Sequence, residues 1–182
     1  DKIHTPEAIF LFSQARGSAG LALKIFLSSL FIQSSFNYRG MQNLGFAFSL
    51  LPLARLPGRD RQRLVALLTR HLQLFNTHPY LSAPIIGSVV RMEMDNMEAD
   101  KAGAATINLK NALMGPYAAL GDPFFWGAMK PLASVFSTLL ALQGYLLAPL
   151  ALLLLYNPVH LWVRVRGFVE GYRRGKEGID FI

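Results

Sequence analysis

The sequence contains no cysteine and few charged residues for its length. Without thiols, the chain cannot use disulfide bonds, thiol catalysis, or cysteine-ligated zinc and iron–sulfur centres. Only 16% of its 182 residues are charged, whereas a typical soluble domain carries about 25%. The 52% share of apolar residues and a mean hydropathy of +0.32 exclude a disordered chain and argue against an ordinary soluble globule.

Acidic residues are missing from most of the sequence. Between Ala8 and Met92 the one acid is Asp60, and between Lys101 and Val169 it is Asp122. The net charge of +7 would suit a soluble nucleic-acid-binding domain, which we keep as an alternative. However, the basic residues collect at the ends of long uncharged runs, which is typical of a membrane protein with Lys and Arg at one interface.

The longest uncharged run indicates a membrane span with a break in it. It extends from Pro131 to Val159, which is 29 residues, and a spanning helix needs about 20. Because the run contains Gln143, Gly144 and Pro149, one straight helix is not expected. Three shorter uncharged runs, at 25–38, 40–54 and 72–90, are more typical of interfacial, re-entrant or buried segments.

An amphipathic helix is predicted over Arg59–Phe75. Its apolar residues recur every three or four positions, as a one-sided helix requires: Leu64, Leu67, Leu68, Leu72 and Phe75. Its basic side chains form a candidate surface for a partner subunit or lipid: Arg59, Arg61, Arg63 and Arg70. A simple surface helix of a soluble domain is the alternative.

The remaining charge pattern predicts the topology. Four of the 11 acids lie between Glu93 and Asp100, which is typical of a solvated loop or helix end. Basic residues dominate after Val163 and again between Arg55 and Arg70. By the positive-inside rule, both segments, and the C-terminus with them, are predicted to be cytoplasmic.

No catalytic constellation is apparent in the sequence. It has no GxSxG motif, no phosphate-binding glycine-rich loop with its lysine, and no nucleophile–base pair that can be named. We expect no metal site and no cofactor, and an enzyme that acts alone is the weakest of the alternatives.

Polar residues embedded in apolar runs are the informative feature. Such groups must face protein or a water-filled cavity, because an unpaired polar group in hydrocarbon is costly. We expect Gln42, Asn76, His78 and Asp122 to contact a ligand or to shape its path. A structural role stays open for three of them: Asn76 could cap a broken helix, His78 could serve packing, and Asp122 could cap Pro123–Met129.

Helix-breaking residues bracket a short segment near the middle of the chain. Gly115-Pro116 precedes it and Gly121-Asp122-Pro123 follows it, so a re-entrant turn is predicted. Such backbone survives at membrane depth only where protein or water covers it, which indicates a partner subunit or a cavity.

These motifs together resemble the IID component of the mannose-family phosphotransferase system. The matching pieces run in order from about Phe26 to Tyr172: Asn37-Tyr38, Met41-Gln42-Asn43-Leu44-Gly45-Phe46, Phe75-Asn76-Thr77-His78-Pro79-Tyr80, Pro84-Ile85-Ile86-Gly87, Leu113-Met114-Gly115-Pro116, Gly121-Asp122-Pro123, Gln143-Gly144 and Gly171-Tyr172. Each piece is weakly specific, but their order and spacing are highly specific.

The resemblance implies an all-α, multi-pass protein of the bacterial inner membrane, with broken, re-entrant and amphipathic helices and at least one transmembrane helical region. It implies a sugar path shared with a IIC subunit in a hetero-oligomer, with phosphate carried by cytoplasmic IIA and IIB subunits. It also implies an N-terminal extension at 1–25, a IID-like membrane domain at 26–172 and a basic tail at 173–182.

Some positions depart from the family pattern. Tyr38-Arg39-Gly40-Met41 stands where Tyr-Glu-Arg-Met is usual, and Ala119 replaces a glycine. Family chains also usually continue beyond Gly171-Tyr172 with another hydrophobic segment. A shortened scaffold or regulatory subunit that does not transport is therefore the alternative function.

Overall fold

Helices make up the regular structure of the described chain. The computed structural model describes residues 19–56, 61–95, 102–175 and 177. Within those ranges there is no strand, and two isolated β-bridges link residues 37, 41 and 75. The helices in chain order are α1 (Ala19–Ser29), α2 (Asn43–Ser49), α3 (Leu51–Ala54), α4 (Arg61–His71), α5 (Ser82–Asp95), α6 (Ala102–Gly121), a π-helical segment (Asp122–Met129), α7 (Lys130–Leu142) and α8 (Ala148–Arg174).

Two helical stretches are long and apolar enough to cross a membrane. One runs for 40 residues from Gly103 to Leu142, through α6, the π-helical segment and α7, and the other is α8 with 27 residues. In each, only 17% of the most apolar window is buried within the chain. A core helix of a soluble protein would instead be mostly buried. The all-α fold with a transmembrane helical region, predicted from the sequence, is confirmed.

The uncharged run at 131–159 is broken where its sequence predicted. Residues 143–147 turn the chain between α7 and α8, and Gly144 has a φ of +87°, which glycine adopts without steric strain. Across the turn, the Ser137 hydroxyl donates to the Ala148 carbonyl oxygen at 2.6 Å. The two helices therefore form a hairpin.

The predicted re-entrant turn around Gly115–Pro123 is wrong. α6 continues through Pro116 to Gly121 and joins the π-helical segment directly. Pro116 removes only one backbone hydrogen bond, which membrane helices tolerate. Pro123 removes one more backbone hydrogen bond, at the junction where α6 passes into the π-helical segment.

The amphipathic helix is shorter than predicted. Within the described residues, α4 runs from Arg61 to His71, while Arg59 lies outside them. Phe75 is beyond the helix end and buried, with its ring centroid 4.6 Å from that of Phe46. The Phe75 carbonyl oxygen instead accepts a hydrogen bond from the Gln42 backbone N–H at 2.8 Å. This backbone hydrogen bond between Phe75 and Gln42 therefore takes the place of the helical turn that was predicted to end at Phe75.

Glycines allow α5 and α8 to pack at close range. A Cβ atom at Gly87 of α5 would lie 2.5 Å from the Phe168 carbonyl oxygen of α8, and one at Gly171 would overlap the Pro84 carbonyl oxygen. Small residues permit this approach between membrane helices. The contact fixes α8 against α5, which begins just after the polar turn described below.

Candidate functional site

Gln42 holds the turn that carries Asn76, Thr77 and His78. Its side-chain Nε2 donates to the Thr77 carbonyl oxygen at 2.8 Å, and the Thr77 backbone N–H donates to Gln42 Oε1 at 3.2 Å. Gln42 is only 2% exposed. Its amide is therefore consumed by this two-point contact, and it positions the turn rather than offering its own hydrogen bonds to a ligand.

Two asparagines secure the neighbouring loop. The Gly40 backbone N–H donates to Asn37 Oδ1 at 2.8 Å, and Asn37 Nδ2 donates to Asn43 Oδ1 at 3.0 Å. Asn43 Nδ2 in turn donates to the Leu72 carbonyl oxygen at 2.7 Å, just past the end of α4. These bonds join residues 37–43 to residues 72–77, so the two loops form one body.

His78 is buried between aromatic rings and the π-helical segment. Its ring stacks on Phe125 with centroids 4.9 Å apart and planes at 16°, and it packs directly against Gly121. Its Nδ1 accepts the Tyr80 backbone N–H at 3.3 Å, while its buried Nε2 has no partner among the described residues. Burial, followed by the charge of Arg164, lowers the pKa of His78 to about 4, so the imidazole is neutral at pH 7.

Asn76 and Asp122 are the exposed members of the predicted set. Asn76 is exposed, and its side chain has no hydrogen bond to a described residue. Asp122 is also exposed and follows Gly121, the residue packed on His78. A capping role for Asp122 is wrong, because it lies inside a continuous helical stretch and its side chain makes no cap hydrogen bond. The structure thus brings all four predicted residues to one region, two buried and two facing outward.

A buried ionic cluster lies behind this region, on the side of α4. Glu93 of α5 accepts bonds from Arg70 Nη1 at 2.8 and 3.0 Å and from the Thr106 hydroxyl at 2.9 Å, and lies 3.1 Å from His71 Nε2. Burial would raise the pKa of Glu93, but the hydrogen bond and charge of His71, with Arg70 and Thr106, hold it below its ordinary value. Burial lowers the pKa of His71.

The cluster corrects the sequence-based view of two residues. Glu93 was predicted to be solvated, yet its side chain is 7% exposed. Arg70 was predicted to face a partner or lipid, and it points inward to Glu93 with 25% of its side chain exposed. Arg61 and Arg63 lie on the exposed face of α4. No local pattern indicates this ion pair, because Glu93 lies 23 positions from Arg70.

Lys110 is the functional candidate that sequence reasoning missed. It lies on α6 and is fully buried, with Nζ 3.5 Å from the carbonyl oxygens of His71 and Gln73. The same ammonium lies 5.1 Å from the ring centroid of Phe46 and 5.8 Å from that of Phe75. A cation is favoured at a helix C-terminus and over aromatic faces. Lys110 therefore clamps the end of α4 and the start of the polar turn to α6.

The one sequence feature that could have indicated this role was a lone lysine within an otherwise uncharged stretch.

Tyr80 connects the turn to α8. Its ring stacks on His160 with centroids 4.3 Å apart, and its hydroxyl oxygen lies 3.0 Å from that of Tyr156. The Arg164 guanidinium lies 4.8 Å from the Tyr80 ring centroid, a cation–π distance. Both membrane-spanning stretches therefore contact the turn, one through His78 and the other through Tyr80.

The chemistry of the region is that of hydrogen bonding beside aromatic rings. No cluster of three or more His, Cys, Asp or Glu that could hold a metal ion occurs among the described residues. Exposed amide and carboxylate groups in the same region could orient a ligand by hydrogen bonds, since orientation in binding sites comes from a few placed polar groups.

Known proteins with similar sequences are described as IID components. Residues 19–182 match a family model described as the PTS system mannose/fructose/sorbose family IID component. The chain is 38% identical over 160 residues to the mannose-specific EIID component of Escherichia coli (strain K12), covering 87% of this chain and 56% of that protein. It is 38% identical over 156 residues to the fructose permease IID component of Bacillus subtilis (strain 168), covering 84% and 56% respectively.

Solved structures agree with the sequence relatives. A cryo-EM structure of the mannose transporter ManYZ in complex with microcin E492 matches with a TM-score of 0.81 and 36% identity, covering 90% of this chain and 60% of that one. A structure described as a membrane protein matches with a TM-score of 0.77 and 37% identity, covering 85% and 57%. The chain therefore spans somewhat more than half the length of the relatives it matches. By sequence and by fold, it belongs to the mannose/fructose/sorbose family of phosphotransferase-system IID components.

Proposed function

We propose that this chain is the IID membrane subunit of a mannose-family, phosphoenolpyruvate-dependent sugar transporter and forms the sugar path with a IIC subunit. The observation that carries the proposal is the family match over residues 19–182, which includes both candidate spans and the polar turn. Cytoplasmic IIA and IIB subunits would transfer the phosphoryl group, so the chain would need neither a catalytic residue nor a cofactor.

In this role, two of the four polar residues would contact the sugar and two would position them. Asn76 and Asp122 are exposed and would bond sugar hydroxyl groups. Gln42 and His78 are buried and would hold the turn and the π-helical segment in the geometry that these two contacts need. A neutral His78 suits this role, because an unpaired buried charge beside Arg164 would be costly.

The exposed surfaces suggest how the complex is arranged. The apolar faces of α7 and α8 would lie against lipid and the IIC subunit in a hetero-oligomer of the inner membrane. The exposed face of α4 with Arg61 and Arg63 would meet IIB or anionic lipid, with the C-terminus in the cytoplasm. A reporter fused after Ile182 should therefore be active on the cytoplasmic side, and a periplasmic signal would reverse this topology.

Sugar uptake tests the proposal directly. The chain is expressed in a strain that supplies matching IIC, IIA and IIB subunits but lacks its own IID, and uptake of radiolabelled hexose is measured. Loss of one neutral or one charged hydrogen bond lowers affinity roughly 3- to 100-fold, so Asn76→Ala and Asp122→Asn should raise KM within that range. Gln33→Ala and Asp95→Asn remove comparable groups from exposed positions elsewhere and should leave KM unchanged.

Co-purification of IIC separates the outcomes. Normal assembly with impaired uptake in the Asn76 and Asp122 variants supports the sugar contacts. Normal assembly and no uptake even by the unaltered chain would refute the transport role and favour the scaffold alternative. Wild-type uptake by both variants would show that the two side chains do not contact the sugar.

A further inference from the structure

A groove lined by none of the polar-turn residues runs between α1 and the α2–α3 pair. Its volume is about 760 Å³, which falls in the range of about 300–1,000 Å³ usual for ligand sites. Its walls are mostly apolar and include Leu21, Leu27, Phe48, Leu51 and Leu56. Leu27 is 49% and Phe48 45% exposed, so these walls are open to whatever surrounds the protein.

Two basic side chains line the same groove, and no acid among the described residues pairs with them. Lys24 and Arg55 are both exposed, and neither makes a side-chain hydrogen bond or ion pair with a described residue. No acid is among the described residues that line the groove. Two cations without a described counter-charge beside an apolar wall favour a ligand that is both anionic and apolar.

The two basic residues lie in the half of the groove farther from the contact between α1 and α2, and Leu21 and Leu56 line that half as well. Gly45, in α2, packs against the Ile32 carbonyl just after α1, so α1 and α2–α3 run away from this point side by side. Leu27 and Phe48 are nearer to it along the chain than Lys24 and Arg55 are. The Phe31 and Phe48 rings, 6.3 Å apart and edge to face, extend the apolar wall. A phospholipid would supply a phosphate for the two basic residues and acyl chains for the apolar walls.

We propose that this groove binds an anionic phospholipid, with its phosphate between Lys24 and Arg55 and an acyl chain along Leu27 and Phe48. The chain has two candidate membrane spans, so lipid is the solvent of its apolar surface. Anionic lipids of the cytoplasmic leaflet attract basic residues near the membrane surface, and the positive-inside rule predicts that Arg55 faces the cytoplasm. The lipid proposal does not depend on the proposed sugar transport, and it is tested separately.

Photo-cross-linking of the full chain with defined lipids tests the site. The protein is placed in nanodiscs that contain a trace of phosphatidylglycerol carrying a photoreactive acyl chain, and labelled peptides are identified by mass spectrometry. Unlabelled phosphatidylglycerol, phosphatidylcholine and inorganic phosphate compete in separate samples. Each basic residue contributes about 1 kcal/mol to anionic-lipid binding, so Lys24→Gln with Arg55→Gln should weaken competition by phosphatidylglycerol roughly 30-fold.

The matched control removes two exposed arginines outside the groove, Arg39→Gln with Arg173→Gln. The proposal expects labelling of the peptides that carry Leu27 and Phe48, competition by phosphatidylglycerol alone, and no effect of the control. Equal competition by phosphatidylcholine, or an equal loss in the control, would overturn it by showing non-specific lipid contact. Competition by inorganic phosphate would assign the site to a free anion. If the groove is not labelled in protein that elutes as a single species, the lipid proposal is refuted and a protein segment is the favoured occupant.

Discussion

Removing the charge of Glu93 is the sharpest test of how the buried ionic cluster stabilises the fold. Glu93→Gln keeps the shape of the side chain and one acceptor oxygen, but it replaces a carboxylate that binds Arg70 and Thr106 at 2.8–3.0 Å. The Arg70 guanidinium would then lack a counter-charge among the described residues. We expect a loss of stability without a change in the helices.

The magnitude follows from the burial of the pair. Breaking a buried ion pair by removing one partner typically costs about 3–5 kcal/mol. Arg70 retains 25% of its side-chain exposure, so solvent screens part of its uncompensated charge, and we expect about 2–3 kcal/mol. At roughly 2–4 °C per kcal/mol for a chain of this size, the unfolding midpoint should fall by about 5–10 °C.

A control pair lies on the same helix. Arg91 and Asp95 of α5 form an ion pair at 2.9 Å with 44% and 54% of their side chains exposed, so Asp95→Asn should cost at most about 0.5 kcal/mol. Thermal unfolding of both variants is measured in one detergent, followed by the Arg70→Gln double-mutant cycle. Equal losses for Glu93→Gln and Asp95→Asn would refute the reasoning.

The pH dependence gives a second readout of the same group. Because the pKa of Glu93 is held below its ordinary value of 4.5, its stabilising effect is complete above that value. The effect is lost as pH falls through the lower folded-state pKa. The gap between the unaltered chain and Glu93→Gln should therefore close in acid, and a gap that stays constant would contradict the ionic origin.

The remaining predictions concern the contacts around the polar turn. Gly87→Ala places a Cβ 2.5 Å from a backbone oxygen and should cost about 1–3 kcal/mol in thermal unfolding, whereas Gly115→Ala, in open space, should be neutral or slightly stabilising. Lys110→Met removes the cation clamp and should lower uptake more than Lys110→Arg, which retains the charge; equal uptake would contradict the clamp. Because burial lowers the pKa of His78 to about 4, stability should fall as pH drops from about 6.5 towards 4. His78→Phe should flatten that slope, and an unchanged slope would exclude His78 as its source.

The sequence was enough to predict that lipid surrounds the fold and that the uncharged run at 131–159 is broken near Gly144. Because an ionised side chain is costly in hydrocarbon, a long uncharged stretch at 131–159 is enough to indicate a membrane span. Gly144 marks the hairpin because few residues other than glycine accept its backbone conformation. The order of the polar motifs was enough to indicate the family, since each motif reports a local need of the backbone or side chains.

Tertiary structure alone decided which polar residues are free to act. Gln42 and Asn76 look alike in sequence, but the first is consumed by Thr77 and the second is exposed. Glu93 and Asp95 share a helix and differ only in the side they face, which separates a buried ion pair from a solvated one. Lys110 became a clamp because folding brought the end of α4 to it from almost 40 positions away. Burial and partnership depend on contacts between distant segments, and such contacts leave no mark on the local sequence.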